Sequence, residues 1–189
     1  MKDNTEAPPA GLDFTDNISI TWKKIDYRPS EAHLVLVNES NESFLRAVSA
    51  MGEVAMDNPD DDVGISQEVL RLDLKVNLLL DLVSQLIYKQ LEIPAVSRVT
   101  VSSREIDWQS DKVPQPGQVI FVEAYIQHGT PKPICFYGEV VSSQLEYRSN
   151  AARVRYLGLA DSVQSWLDKL IFRHHRRAVA YEKSRNTDS

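Results

Sequence analysis

Arg153 and Arg155 stand two residues apart in an apolar stretch, so on a strand they share one face. Guanidinium forks placed there match phosphate or carboxylate oxygens two at a time. The same spacing fits the solvated outer face of a sheet, which is the preferred reading. Arg173, Arg176 and Arg177 form a second basic group, to which His174 and His175 add charge at lower pH. Cations near a helix C-terminus gain about 0.3–1 kcal/mol each from the helix dipole, and that account is preferred to an anion or partner patch.

The remaining reactive types are sparse. His33, His128, His174 and His175 have no Cys or carboxylate companion at metal-ligand spacing, and the adjacent pair points to different sides of a helix. Cys135 lies in the apolar run Ile134-Cys-Phe-Tyr137 and reads as a small buried hydrophobe. Asp60-Asp-Asp62 lacks the spacing of a calcium loop. With 7 glycines, none in a phosphate-cradling loop, and no GxSxG or HExxH string, the sequence predicts no metal, no cofactor and no enzyme.

The elements that must position these residues follow from periodicity. Apolar residues make up 42% and charged residues 25% of 189, which predicts a folded, water-soluble chain. A single cysteine excludes an internal disulfide, and no secretory signal or long apolar span is legible, so a cytoplasmic location without membrane insertion is expected. The net charge of −6 argues against nucleic acid as a partner. Residues 1–17 read as a disordered tail and 18–62 as an acidic segment, in which Ile18–Trp22 and Ala32–Val37 suggest strands and Ser40–Met51 a helix. Val96–Trp108, Val119–Ile126, Ile134–Val141 and Ala152–Leu159 read as short strands of a small barrel or sandwich. A last helix starts near Asp161, with Gln164 as partner in a capping box and Val163, Trp166, Leu167, Leu170 and Ile171 on one face, fraying from Lys183. The barrel and this helix span 95–182.

Between them, residues 65–92 predict a long helix stopped by Pro94. Ile65, Val69, Leu72, Val76, Leu79, Val83 and Leu86 are spaced alternately by four and three, an unbroken heptad seam with valine at a and Ile or Leu at d. Leu80, Leu82 and Ile87 widen the apolar face beyond that of a two-stranded coiled coil. A bundle of more than two helices would bury the surplus, as would a dimer seam whose flank packs on the barrel or the N-terminal segment. A third reading makes this the core helix of a monomer.

The phrases Val101-Ser-Ser-Arg-Glu-Ile-Asp-Trp108, Pro116-Gly-Gln-Val-Ile120, Tyr137-Gly-Glu-Val140, Ala152-Arg-Val-Arg-Tyr156 and Ile171-Phe-Arg-His-His-Arg-Arg177 resemble the strands and terminal helix of PilZ domains. These are bacterial receptor modules for cyclic di-GMP. With the heptad helix ahead of the barrel, the chain resembles the atypical, tetramer-forming branch. The resemblance implies an α+β fold: an antiparallel barrel of about six strands, closed by a C-terminal helix. Ordinary PilZ domains hold the ligand with RxxxR and (D/N)xSxxG motifs. Here the second aligns with Thr100-Val-Ser-Ser-Arg-Glu105, keeping Ser102 but placing Thr100 at the acid or amide and Glu105 at the glycine. For the first, Arg71-Leu-Asp-Leu-Lys75 has basic residues at the spacing but lies inside the heptad helix, and Arg98 stands alone near the first barrel strand. The resemblance therefore implies a non-enzymatic scaffold or adaptor that assembles with itself, as a tetramer rather than a dimer, and with other signalling proteins. Its rivals are a true cyclic di-GMP receptor using Arg98, Ser102, Arg104, Arg153 or Arg155, and a monomeric enzyme or small-molecule binder.

Overall fold

The computed structural model describes residues 12–53, 63–91, 93–127, 130–145 and 150–187. In chain order these form β1 (Asp13–Lys24), α1 (Glu31–Glu53), α2 (Val63–Gln90), β2 (Val96–Ser102), β3 (Glu105–Ser110), β4 (Val119–Ala124), β5 (Ile134–Leu145), β6 (Asn150–Leu157) and α3 (Asp161–Thr187). The strands make a closed antiparallel barrel in the order β1-β2-β3-β6-β5-β4.

Closure depends on β1, whose length lets it serve two neighbours. Its first half pairs with β2 from Asp13↔Ser102 to Ser19↔Val96, and its second half with β4 from Ile20↔Ala124 to Lys24↔Ile120. The expected disordered tail over 1–17 is corrected accordingly. Residues 13–17 are strand, with Phe14 buried between exposed polar neighbours, and the barrel takes in an N-terminal strand that the division at residue 95 left outside it. Val96–Trp108 is a hairpin of two strands, β2 and β3.

Ala32–Val37 is a second correction, because it is the start of α1 and not a strand. Leu34 and Val37, half-buried, continue a helical stripe in which Phe44, Leu45 and Val48 reach the core, whereas Val35 and Leu36 are exposed. Ser30 opens the helix, its carbonyl accepting from Leu34 N–H (3.1 Å) and its hydroxyl from His33 N–H (3.4 Å).

Two asparagines on α1 fix it to the barrel. Asn41, 1% exposed, donates its amide to the Cys135 carbonyl (2.5 Å) and accepts from the Cys135 N–H (3.0 Å). Asn38 likewise donates to the Gly158 carbonyl (2.9 Å) and accepts from Ala160 N–H (3.0 Å). Each amide satisfies a donor and an acceptor at a strand end, which the barrel alone would leave open. Gly158 has a φ of +63°, and a Cβ there would lie 2.5 Å from Leu34 Cδ1, so only glycine lets α1 approach this closely.

α3 covers one mouth of the barrel with Val163, Leu167, Leu170 and Ile171, and Trp166 is partly buried against the same core. The expected capping box is absent among the described residues. Asn38 instead engages the Ala160 N–H at the entrance, and Ser162 donates to Glu42 (2.7 Å). The helix runs to Thr187, past the Lys183 where fraying was expected.

Replacing Asn41 with alanine leaves the Cys135 N–H and carbonyl without their partner. We expect a loss of about 2–3 kcal/mol in urea unfolding; an unchanged midpoint would contradict the role given to this amide.

Candidate ligand groove and exposed helix

The β2–β3 hairpin turns tightly at Ser103-Arg104. Ser102 Oγ accepts from the N–H groups of Glu105 (3.0 Å) and Arg104 (3.3 Å) and donates to the Glu105 carbonyl (2.8 Å). This hydroxyl is committed to the turn. Beside it runs a groove of about 820 Å³ whose lining includes Asp13, Ser102, Arg104, Glu105, Asp107, Arg153, Arg155, Tyr156 and Gln164. Of the residues expected at a ligand site, Ser102, Arg104, Arg153 and Arg155 come together here. Arg98 does not; it lies opposite Asn17 on β2, outside the groove lining.

Register decides the electrostatics. Glu105 pairs with Arg155 and Asp107 with Arg153 across β3 and β6. Arg153 Nε lies 2.8 Å from Asp107 Oδ1 and 3.9 Å from Glu105 Oε2, while Arg155 Nη2 lies 3.3 Å from Glu105 Oε1. The hydrogen bond and charge of Asp107 push the Arg153 guanidinium above its ordinary pKa. These pairs are half open to solvent, so each contributes about 0.2–1 kcal/mol to stability. Their larger effect is to occupy both guanidiniums. Arg104, Arg153 and Arg155 face Asp13, Glu105 and Asp107, which leaves the lining without net positive charge. Arg153 and Arg155 therefore form a neutralised cross-strand ladder, where the sequence preferred a solvated outer face to a basic patch.

Tyr156 forms the floor. Its hydroxyl donates to the Ser102 carbonyl (3.2 Å), and its N–H to the Arg104 carbonyl (3.1 Å). Burial, and then the charges of Asp107 and Glu105, hold its phenol far above the usual range. The sequence reading missed Asp13, Asp107, Tyr156 and Gln164 as lining residues. For Asp107 a signal exists: two carboxylates at spacing two, followed downstream by two arginines at spacing two.

The C-terminal basic group is dispersed. Arg173 clasps α1, donating to the Val48 carbonyl (3.2 Å) and Ser49 Oγ (2.9 Å), and Arg176 lies over the Phe172 ring (6.0 Å). His174 stacks on Phe14 with centroids 4.2 Å apart. The side chain of Arg177, residue His128 and the acidic turn at 60–62 lie outside the described residues. No group of three His, Cys, Asp or Glu converges among the described residues. Burial pushes the Cys135 thiol up to about 11, helped by the charge of Glu123.

α2 presents the other candidate surface. Val69, Val76 and Val83 at a, and Leu72, Leu79 and Leu86 at d, are between 44% and 63% exposed. The side chain of Ile65 lies outside the described residues. Leu80 and Leu82 are exposed as well, and Leu70, Leu74 and Leu78 form a second stripe on the far side that the heptad reading did not single out. Among the described residues α2 packs against no other element. The barrel core is completed by α1 and α3, and among the described residues α2 contributes nothing to it.

A closed six-stranded barrel is capped by a C-terminal helix, and a long apolar helix is inserted between its first and second strands. Residues 45–185 match the family described as atypical PilZ domain, cyclic di-GMP receptor, and the chain belongs to that family. Among solved structures, it is similar to a pathogenic protein from Xanthomonas campestris, a tetrameric PilZ domain self-assembled through a helical bundle. The two share 21% identity over 91% of this chain and 92% of that one, with a TM-score of 0.72. The inhibitor of motility from Bacillus subtilis is a partial likeness, at 16% identity over 45% of this chain and 43% of that one, with a TM-score of 0.38. No curated protein matches the sequence.

The Cys135 thiol gives a pH test. Its folded pKa of about 11 exceeds the ordinary 9.0, so the folded chain holds this proton more tightly than the unfolded chain does. The associated stability is fully present below pH 9 and is lost as pH rises through about 11. Thiolate absorbance of the native protein should titrate near 11; a midpoint near 9 would contradict the burial.

Proposed function

We propose that this chain is a non-enzymatic scaffold or adaptor of cyclic di-GMP signalling. It assembles through α2 into a tetramer and presents several barrels to protein partners in the cytoplasm. The observation that carries this reading is the exposed heptad seam on a helix that no other element covers among the described residues. Leaving so long an apolar surface in water is costly, at about 25 cal/mol per Å². A second, third and fourth copy of the same seam would remove it without altering the barrel. The tetrameric helical bundle of the Xanthomonas campestris protein, whose fold this chain shares, supports the stoichiometry.

In the native chain the groove holds cyclic di-GMP poorly, because its counter-ions are already built in. Glu105 and Asp107 sit where incoming phosphate would have to pair, and Ser102 is spent on the hairpin. A second reading, a receptor of unconventional chemistry, is favoured by one feature: Arg104 lines the groove without an ion pair among the described residues. In that reading Ser102, Arg104, Arg153 and Arg155 bind the ligand after the carboxylates give way.

Two experiments separate the readings. Leu79→Asp places a charge in the seam and should lower the mass by light scattering toward a single chain of 21.4 kDa, while near-ultraviolet dichroism keeps the barrel's signal. Retained assembly would reject the seam. Calorimetry with cyclic di-GMP should show no binding to the native protein that Arg104→Ala removes, and binding sensitive to that substitution in the Glu105→Gln, Asp107→Asn double variant. Tight, Arg104-dependent binding by the native chain would favour the receptor instead.

A further inference from the structure

Across β6 from the groove lies a second cleft, of about 510 Å³, which neither the assembly nor the groove uses. Its lining includes Lys24, Tyr27, Arg28, Gly117, Gln118 and Glu139. Tyr27 sits in the connector between β1 and α1 and is 51% exposed, yet its ring is held on two sides. It contacts the His33 ring at 5.6 Å, and its phenol neighbours that of Tyr137. Tyr137 in turn meets Phe121 edge-on at 5.0 Å, and the Lys23 ammonium lies 5.1 Å from the Phe121 centroid. An aromatic ladder therefore crosses the outside of the barrel and ends in a fixed, half-open ring. Such a ring is a stacking platform for a flat heterocycle.

The charges around that ring are specific. Lys24 is neutralised by Asp26 at 3.0 Å, whereas Arg28 has no ion pair among the described residues. Glu139 is the register partner of Arg155, but the Arg155 guanidinium goes to Glu105 on the other side, which leaves the Glu139 carboxylate open. Gly117, at φ +80°, has nothing within 4 Å of where a Cβ would be, so a ligand can come down onto the backbone there.

We propose that this cleft binds a guanine nucleotide, with the base on Tyr27, its Watson–Crick edge on Glu139 and its phosphate on Arg28. A carboxylate is acceptor-only. Guanine offers it two adjacent donors, N1–H and N2–H, whereas adenine places the N1 lone pair against it and is repelled. The site is distinct from the groove and does not depend on α2, so its failure would leave the assembly reading untouched.

Calorimetry of the full chain with GMP and AMP tests it. GMP should bind, and AMP at least about tenfold more weakly. Tyr27→Ala should weaken GMP binding about tenfold or more, with Tyr27→Phe, which keeps the ring, close to native. Glu139→Gln should erase the preference for GMP over AMP, and Arg104→Ala, in the groove, should change nothing. The proposal is overturned by absence of GMP binding at millimolar concentration, by equal affinity for AMP, or by binding that responds to Arg104→Ala and not to Tyr27→Ala.

Discussion

The double pairing of β1 is the constraint on which the rest of the molecule depends. Without it, β2 and β4 would be open edges of a five-stranded sheet, and the interior residues Val99, Val101, Ile120 and Val122 would lose their cover from Ile18 and Ile20. Closure also delivers the surface features. The start of β1 puts Asp13 in the groove wall, and its end puts Lys24 and the Tyr27 connector at the second cleft. One strand of 12 residues thus frames both concave surfaces.

Once the barrel is closed and plugged by α1 and α3, it has no interior left to offer α2. The clasp of Arg173 on Val48 and Ser49 ties α3 to α1, and the amides of Asn38 and Asn41 tie α1 to the barrel. Among the described residues α2 packs against no other element. A helix with valines and leucines on two opposite stripes, without intrachain cover among the described residues, is the surface on which the proposed assembly rests. The apolar surface of α1 and α3, by contrast, is spent on the barrel core.

Legibility in the sequence followed the range of the interactions. α2 was readable because a heptad seam is written in consecutive residues, and most of the barrel because strands such as β4 alternate cleanly between buried and half-buried positions. The start of β1 was not readable. In Asp13-Phe-Thr-Asp-Asn17 only Phe14 is buried, and the polar remainder looks like a tail until β2 is laid beside it. Ala32–Val37 misled for the opposite reason: a short apolar run carries no period of its own, and Leu34 faces Gly158 only because α1 is docked. The groove residues Arg153 and Arg155 could be named from sequence, but their neutralisation by Glu105 and Asp107 required a register that no single strand specifies.

That register also explains why one matching position is a poor guide to ligand binding. Ser102 aligns, by resemblance, with the serine of the (D/N)xSxxG motif of ordinary PilZ domains, yet all three of its hydrogen bonds close the hairpin around Glu105. A serine so placed is required by the turn whether or not a dinucleotide is bound. Glu105, at the motif's glycine, is held by the same bonds, and its carboxylate is thereby aimed at Arg155. The turn that preserves half the motif is thus the device that supplies the groove with its own anion. Conformation and charge are separable here. The first is kept by Ser102, and the second has been reversed by the residue that Ser102 positions.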